Sequence, residues 1–299
     1  MPERPAAIRP PAGIAVVGLG NMGRPMAASL MRGGYDVIGY DLALEARRGF
    51  IDAGGQAVGD IAAAVARAAV VITLLPDGKS VRGAVEAMQP HLARGAIVID
   101  MSSSDPLGTR ALGAALGEAG FGFIDAPVSG GVKRAIDASL AIMAGGDPEI
   151  IERVEPVLAA MGKSIFRTGP LGSGHAMKAL NNYVSAAGFA AAVEAIAIGA
   201  KFGLEPDAMV DVLNASTGRN NSTENKLKQF VLARSYTSGF SLGLMAKDIR
   251  TADELASAIG VPAPLADATA ALWSTAAERL GSSADHTEIG RYLASIKPG

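Results

Sequence analysis

The sequence predicts a doubly wound α/β domain over residues 1–170, then an all-α domain over residues 171–299, joined by a long helix. Three observations carry this. Short Val-, Ile- and Gly-rich runs alternate with helical patterns through the first half. A glycine-rich turn lies between the first of these runs and the first helix. After Gly169-Pro170-Leu171-Gly172, every segment reads as helix.

The bulk numbers allow such a molecule. A chain of 299 residues is long enough for two domains of ordinary size. With 49% hydrophobic and 19% charged residues it can bury a core, which excludes a disordered protein. Lys and Arg number 27 against 29 Asp and Glu, for a net charge of -2, so charge makes no case for a nucleic-acid or anionic-membrane partner. The absence of cysteine excludes disulfides, thiolate metal sites and a cysteine nucleophile. His91, His175 and His286 lie far apart without metal-ligand spacing, so no metal is expected; His91 and His286 read as surface or packing residues. Met1 to Ala12 has no apolar core of a secretory signal and is short for a transit peptide. The run Ala186 to Ala200 is interrupted by Gly188 and Glu194 and reads as too short to span a bilayer, so a cytoplasmic protein is expected.

Taken in order, Gly13-Ile14-Ala15-Val16-Val17 reads as a buried strand that runs into Gly18-Leu19-Gly20-Asn21-Met22-Gly23. A helix follows to Met31, ended by Gly33-Gly34, and Asp36 to Asp41 reads as a second strand. This is the context that a Rossmann dinucleotide-binding turn requires. The first glycine allows the tight turn, the second lets backbone approach a pyrophosphate, and the third lets the helix pack on the sheet. Backbone N–H groups at the helix start bind the phosphates. Asp41, closing the second strand, can accept both adenosine ribose hydroxyls and would repel a 2′-phosphate. Like charges ~4 Å apart at an effective dielectric of ~20 cost roughly 4 kcal/mol, which favours NAD over NADP.

Further strands are expected at Val70 to Leu75, Ala96 to Asp100 and Phe121 to Asp125. Ligands in such sheets sit just beyond the carboxyl ends of strands. The loops that follow are therefore candidate site walls: Leu75 and Pro76, then Ser102 to Ser104, then Ser129-Gly130-Gly131. The three serines read equally as caps for the helix opening near Asp105-Pro106. Ser129-Gly130-Gly131 offers a hydroxyl and open backbone N–H groups, a small concave site for a carboxylate. Ser139 to Gly145 and Lys163 to Thr168 complete the sheet around a helix near Pro148 to Met161. Beyond Gly172, one long helix carries Lys178 and Asn182, four residues apart and so on one face. Helices are expected at Glu205 to Ala215, Glu224 to Leu232, Leu242 to Ile259 and Pro264 to Leu280.

Four motifs in this order, covering nearly the whole chain, resemble the β-hydroxyacid dehydrogenase family, which includes 3-hydroxyisobutyrate dehydrogenase and tartronate semialdehyde reductase. They are Gly18-Leu19-Gly20-Asn21-Met22-Gly23, Asp125-Ala126-Pro127-Val128-Ser129-Gly130-Gly131, Gly174-His175-Ala176-Met177-Lys178 with Asn182, and Lys247-Asp248. The resemblance implies that the first motif and Asp41 hold the dinucleotide and that Ser103 contacts its nicotinamide or the substrate. It implies that Ser129, Gly130 and Gly131 bind the substrate carboxylate, that Lys178 is catalytic, and that Asn182 is its helical neighbour. It places Lys247 near the cofactor, Asp248 as a helper, and Phe240 on the wall of the substrate pocket.

The function expected is reversible hydride transfer between NAD and the hydroxyl carbon of a small β-hydroxy acid, with Lys178 as acid and base. A free lysine has a pKa near 10.4, and burial beside a positive nicotinamide would bring it closer to use. Rivals are an NADPH-dependent semialdehyde or glyoxylate reductase, an imine reductase on the same scaffold, and a silent dinucleotide-binding scaffold. Asp41 speaks against the first and Lys178 against the other two. The stretch Asn214 to Asn225 is dense in polar groups. It reads either as a pocket for a hydroxylated or doubly charged substrate, with Arg219 as a clamp, or as a capped interhelical loop. A helical second half with long apolar faces implies a homodimer or homotetramer.

Overall fold

The computed structural model describes residues 6–296, so the opening five residues of the Met1 to Ala12 segment lie outside the described residues. By internal contacts the chain forms two units, Met1–Lys178 and Ala179–Gly299.

The first unit is the expected α/β layer structure. It runs β1 (Gly13–Val17), α1 (Gly23–Arg32), β2 (Asp36–Tyr40), α2 (Leu44–Asp52), β3 (Gln56–Val58), α3 (Ile61–Val65) and β4 (Val70–Thr73). It continues with α4 (Gly78–Met88), β5 (Ile97–Asp100), α5 (Pro106–Glu118), β6 (Gly122–Asp125), β7 (Val128–Ser129), α6 (Gly131–Ile136), β8 (Leu140–Gly145), α7 (Pro148–Ala159) and β9 (Gly162–Gly169). The sheet order is β3-β2-β1-β4-β5-β6-β8-β7, with β9 paired to β8. β1 to β6 pair in parallel, whereas β8 is antiparallel to β6 and β7. The strand order reverses at β1, where β2 and β4 leave on opposite sides. That reversal is where such sheets open a crevice at their carboxyl ends.

Side-chain caps place the helices. Asp60, Asp77, Asp105 and Asp147 each accept a backbone N–H from the first turn of α3, α4, α5 and α7. Proline follows the aspartate in α5 and α7, where its missing N–H costs nothing. Ile14, Val16, Ile72, Ile97 and Ile99 pack one face of the sheet against Met26 and Leu30 of α1, while Ala15, Val17, Val71 and Val98 face Val81 and Val85 of α4. Both faces being covered explains the unbroken apolar strands. β3 and β7, with three and two residues, are too short to leave an apolar run that sequence could reveal.

The second unit is helical. α8 (Ser173–Phe202) enters it and is followed by α9 (Pro206–Ala215), α10 (Asn221–Asn225), a π-helical turn at Leu227–Leu232, α11 (Leu242–Ala258), α12 (Pro264–Leu280) and α13 (Ile289–Ser295). The helix expected from Glu224 begins earlier because Asn220 and Thr223 form a reciprocal capping box. Ala186, Phe189, Val193 and Ile196 of α8 pack in the core around Trp273 with Leu242, Met245 and Ile249.

α8 corrects one expectation. The sequence shows an apolar run too short for a bilayer, but the helix has 30 residues and by length and composition alone could cross one. Its Phe189 and Ala186 are fully buried in the core of the second unit. One face of α8 thus packs in the core, while 39% of its most apolar 18-residue window is buried.

Candidate active site

The three glycines of the turn after β1 have different surroundings. Gly18 has φ of 104°, and a Cβ there would stand 2.2 Å from the Leu74 carbonyl oxygen. A Cβ on Gly23, at the start of α1, would stand 1.9 Å from the Gly18 carbonyl oxygen. Both glycines are imposed by packing. Gly20 is different: a Cβ there would meet nothing within 4 Å, so its backbone faces open space. Leu19 is fully buried and its backbone N–H donates to Asp41 Oδ2 at 2.8 Å. The second oxygen, Asp41 Oδ1, accepts from the Ala43 N–H at 2.8 Å, and Arg47 donates to the Asp41 main-chain oxygen at 2.7 Å. Asp41 is therefore fixed at the turn rather than swinging on the surface. An open glycine backbone at a helix N-terminus with no acid in its first turn, beside a positioned carboxylate, fits a dinucleotide's pyrophosphate and ribose. Leu75 also lies at this turn, with its Cδ2 3.2 Å from the position of a Gly18 Cβ, while Pro76 is exposed.

Two buried aspartates at the ends of β5 and β6 organise the neighbouring loops. Asp100 accepts from Thr73 Oγ1 (2.9 Å), the Ser102 N–H (3.0 Å) and Ser104 Oγ (2.7 Å). Ser102 Oγ accepts from the Leu75 N–H at 3.0 Å. Ser102 and Ser104 are buried supports of the turn, and Asp105 rather than a serine caps α5. Ser103 is the half-buried member of the three.

Asp125 receives the first turn of α8. Its Oδ1 accepts from the Gly172 N–H and its Oδ2 from the His175 N–H, both at 2.7 Å. Helix N-termini carry unpaired N–H groups and partial positive charge, so a carboxylate is their natural partner. Close approach requires glycine: a Cβ on Gly174 would fall 2.2 Å from the Met143 carbonyl oxygen and 2.9 Å from Asp125 Oδ2. Burial pushes the Asp125 carboxyl above its usual range, with the His175 ring and the backbone N–H groups opposing. The His175 ring is buried, with Nδ1 2.8 Å from Thr109 Oγ1 and 3.6 Å from Asp125 Oδ2, and Nε2 3.7 Å from Asp100 Oδ2. Sequence reasoning quoted Asp125 without a role and passed over Asp100. An acid closing an apolar strand was the available signal.

Lys178 is half-buried, one turn beyond this clamp. Ser129 closes β7, and Gly130 and Gly131 follow with φ of 135° and 68°. A Cβ at Gly131 would meet nothing within 4 Å, so that backbone is open to a ligand.

The second unit gathers another group of the expected residues. Asn182 is buried and donates through Nδ2 to Asp248 Oδ2 at 2.6 Å. Asp248 is buried as well, and its Oδ1 lies 3.7 Å from Lys247 Nζ. Phe240 stands edge-on to the His286 ring at 5.7 Å between centroids. Much of the polar stretch 214–225 is spent internally: Asn220 caps α10, Asn214 Nδ2 bonds the Thr223 carbonyl at 3.1 Å, and exposed Arg219 pairs with Glu224 at 2.6 Å. Arg219 is thus paired with Glu224 at the surface.

Comparison with known proteins agrees with this arrangement. Residues 13–169 match the family described as the NAD binding domain of 6-phosphogluconate dehydrogenase. Residues 172–293 match the NAD-binding domain of NADP-dependent 3-hydroxyisobutyrate dehydrogenase. An NAD-dependent L-serine dehydrogenase of Pseudomonas aeruginosa is 36% identical over 269 residues, 87% of this chain and 90% of that protein. A 2-(hydroxymethyl)glutarate dehydrogenase of Eubacterium barkeri is 33% identical over 255 residues, 84% of this chain and 85% of that protein. A structure of Mycobacterium tuberculosis 3-hydroxyisobutyrate dehydrogenase with L-serine superposes with a TM-score of 0.89 at 34% identity, covering 95% of this chain and 99% of that one. With an NAD(P)-binding α/β unit, a helical unit and relatives of this similarity over most of its length, the chain belongs to the β-hydroxyacid dehydrogenase family of oxidoreductases.

Proposed function

We propose that the protein is an NAD-dependent dehydrogenase of a small β-hydroxy acid, with Lys178 as general acid and base. One observation carries this assignment. Lys178 follows, by one turn, a helix start clamped on the buried Asp125, and Asn182 on the same face is held by the buried Asp248. A half-buried lysine beside a fixed amide is suited to hold a substrate oxygen and its proton.

When bound, the nicotinamide supplies the hydride acceptor in oxidation and the donor in reduction. The chain does the rest. Ser129 Oγ and the Gly130 and Gly131 backbone hold the substrate carboxylate. Lys178 Nζ takes the hydroxyl proton as the carbon is oxidised and returns it in reduction. Asn182 orients the oxygen and is itself positioned by Asp248. Phe240 walls the pocket; Lys247, Ser103, Leu75 and Pro76 flank the cofactor. Asp41 selects NAD by its fixed negative charge, and Gly18 to Gly23 cradle the pyrophosphate. We assign most of the cofactor binding to residues 1–170 and self-association, with the substrate contacts of Lys178, Asn182, Phe240 and Asp248, to residues 171–299. Self-association as a homodimer or homotetramer is supported by apolar side chains of α8 left exposed, Val184, Ile198 and Phe202.

The relatives' substrates, as their names give them, share one skeleton. L-serine, 3-hydroxyisobutyrate and 2-(hydroxymethyl)glutarate are all 3-hydroxypropanoates that differ in the C2 substituent. The test is NADH formation against a panel of such acids, repeated with NADP. Oxidation that vanishes in Lys178→Ala supports the assignment. Turnover in that variant comparable to wild type would overturn it.

A further inference from the structure

Lys226, the residue that ends α10, stands apart from the other cations near the expected site. Arg219, Lys228 and Lys247 each lie within 4 Å of a carboxylate, whereas no such pair is formed by Lys226 among the described residues. Its Nζ bonds the neutral Ser185 Oγ at 3.3 Å and lies 5.1 Å from the centroid of the buried Phe189 ring. An ammonium carries three donors, so one contact with Ser185 leaves two to be met.

Asp285, the acid whose charge acts on Lys226, is already committed. Asp285 accepts from Ser238 Oγ, the Gly239 N–H and the Thr287 N–H and hydroxyl. Burial lowers Lys226 to about 8, with the Asp285 charge opposing in part. The adjacent His286 ring is held neutral, at about 4, first by burial and then by the Lys226 charge. The buried Ser222 Oγ, four residues earlier, has no hydrogen-bond partner among the described residues.

The position of this cation is set by α8. Lys178, Asn182, Ser185 and Phe189 are spaced 4, 3 and 4 residues apart, so they form one stripe along the helix. At ~1.5 Å of rise per residue, Ser185 stands ~4.5 Å beyond Asn182 and ~10 Å beyond Lys178 along the axis. A ligand carboxylate is the chemical partner suited to the remaining donors of Lys226.

We propose that Lys226, seated on Ser185 and Phe189, binds a second carboxylate at the far end of the substrate, so that the preferred substrates are hydroxy dicarboxylates. This rests on the hydroxy-acid assignment above and specifies its C2 pocket. The group at work in the polar region is then the lysine just beyond the stretch 214–225, not Arg219 within it.

The test separates binding from turnover. Glutarate and butyrate are titrated calorimetrically into the full chain with NADH present, for wild type, Lys226→Met and Lys226→Gln. Methionine keeps the apolar stem over Phe189, and glutamine keeps length and a bond to Ser185, so at least one variant retains the fold. In wild type, glutarate should bind about 10-fold or more tighter than butyrate, the worth of a charge-assisted pair. Both variants should lose that preference. At pH 8 glutarate binding should also take up protons onto wild type, read from the dependence of heat on buffer, and not onto the variants. Equal binding of the two acids by wild type, or a preference that survives both substitutions, would overturn the proposal. Glutarate binding that depends on Lys226, together with no oxidation of any hydroxy acid, would instead overturn the hydroxy-acid assignment and leave the anion subsite standing.

Discussion

Replacing Asp41 by asparagine is expected to shift cofactor preference towards NADP, and the size of the shift follows from how the carboxylate is held. Its two oxygens accept from the Leu19 and Ala43 N–H groups, each at 2.8 Å, so the charge cannot move away from an incoming 2′-phosphate. Like charges ~4 Å apart at an effective dielectric of ~20 repel by roughly 4 kcal/mol. Asp41 is half-buried, and the Arg47 guanidinium sits 2.7 Å from its main-chain oxygen, so solvent and that cation screen part of the repulsion. About 2 kcal/mol then remains, equivalent to roughly a 30-fold change in relative affinity. Asparagine has one acceptor oxygen where the carboxylate has two, so one backbone N–H loses its partner at a cost of about 1 kcal/mol to the turn. The measurement is therefore the ratio of kcat/KM with NADP to kcat/KM with NAD, in which a general loss of turn stability cancels. Wild type should favour NAD, and Asp41→Asn should raise the ratio by about 30-fold. A wild type that uses both cofactors equally, or a variant ratio within about 3-fold of wild type, would refute the electrostatic argument.

Three further outcomes are expected. Lys178→Ala should lower turnover by at least about 100-fold while NADH affinity, read by fluorescence titration, stays near wild type. Asp125→Asn keeps one acceptor for two buried N–H donors and turns an NH2 towards the other, and should destabilise folding by about 2 kcal/mol in urea; an unchanged midpoint would show that the clamp is dispensable. His286, whose pKa burial and the Lys226 charge lower to about 4, makes stability fall on acidification. Above pH 6.5 both states are neutral; between 6.5 and 4 the unfolded chain gains a proton that the folded chain refuses, at a cost of at most about 3 kcal/mol. His286→Phe should flatten that slope, and a slope unchanged in the variant would assign acid sensitivity elsewhere.

The α/β half was legible because a sheet covered on both faces writes its strands as unbroken apolar runs, as at Val70 to Thr73 and Ile97 to Asp100. β3 and β7 were not, since strands of three and two residues have no period to detect. Among the site residues, Gly18 and Gly23 announce themselves through spacing, because packing forbids any side chain there. Lys226 leaves no such trace. A lysine after a polar loop is ordinarily solvated, and only its seat against Ser185 and Phe189 distinguishes it. Ser102 and Ser104 mislead in the opposite direction, since hydroxyls that could face a ligand are buried against Asp100 and Thr73.

The buried carboxylates account for why Lys178 stands where it does. Asp125 ends β6, and four residues later the same chain reaches Ser129 and the open backbone of Gly131. The oxygens of Asp125 also accept the Gly172 and His175 N–H groups that begin α8. A slip of α8 by one residue would leave a carboxylate and two N–H groups buried without partners, at roughly 1–3 kcal/mol for each. One side chain thereby ties the loop proposed to hold the substrate carboxylate to the helix that carries the proposed proton-transfer lysine. Selection at Asp125 would act on catalytic geometry even though the carboxylate is fully buried and occupied by backbone.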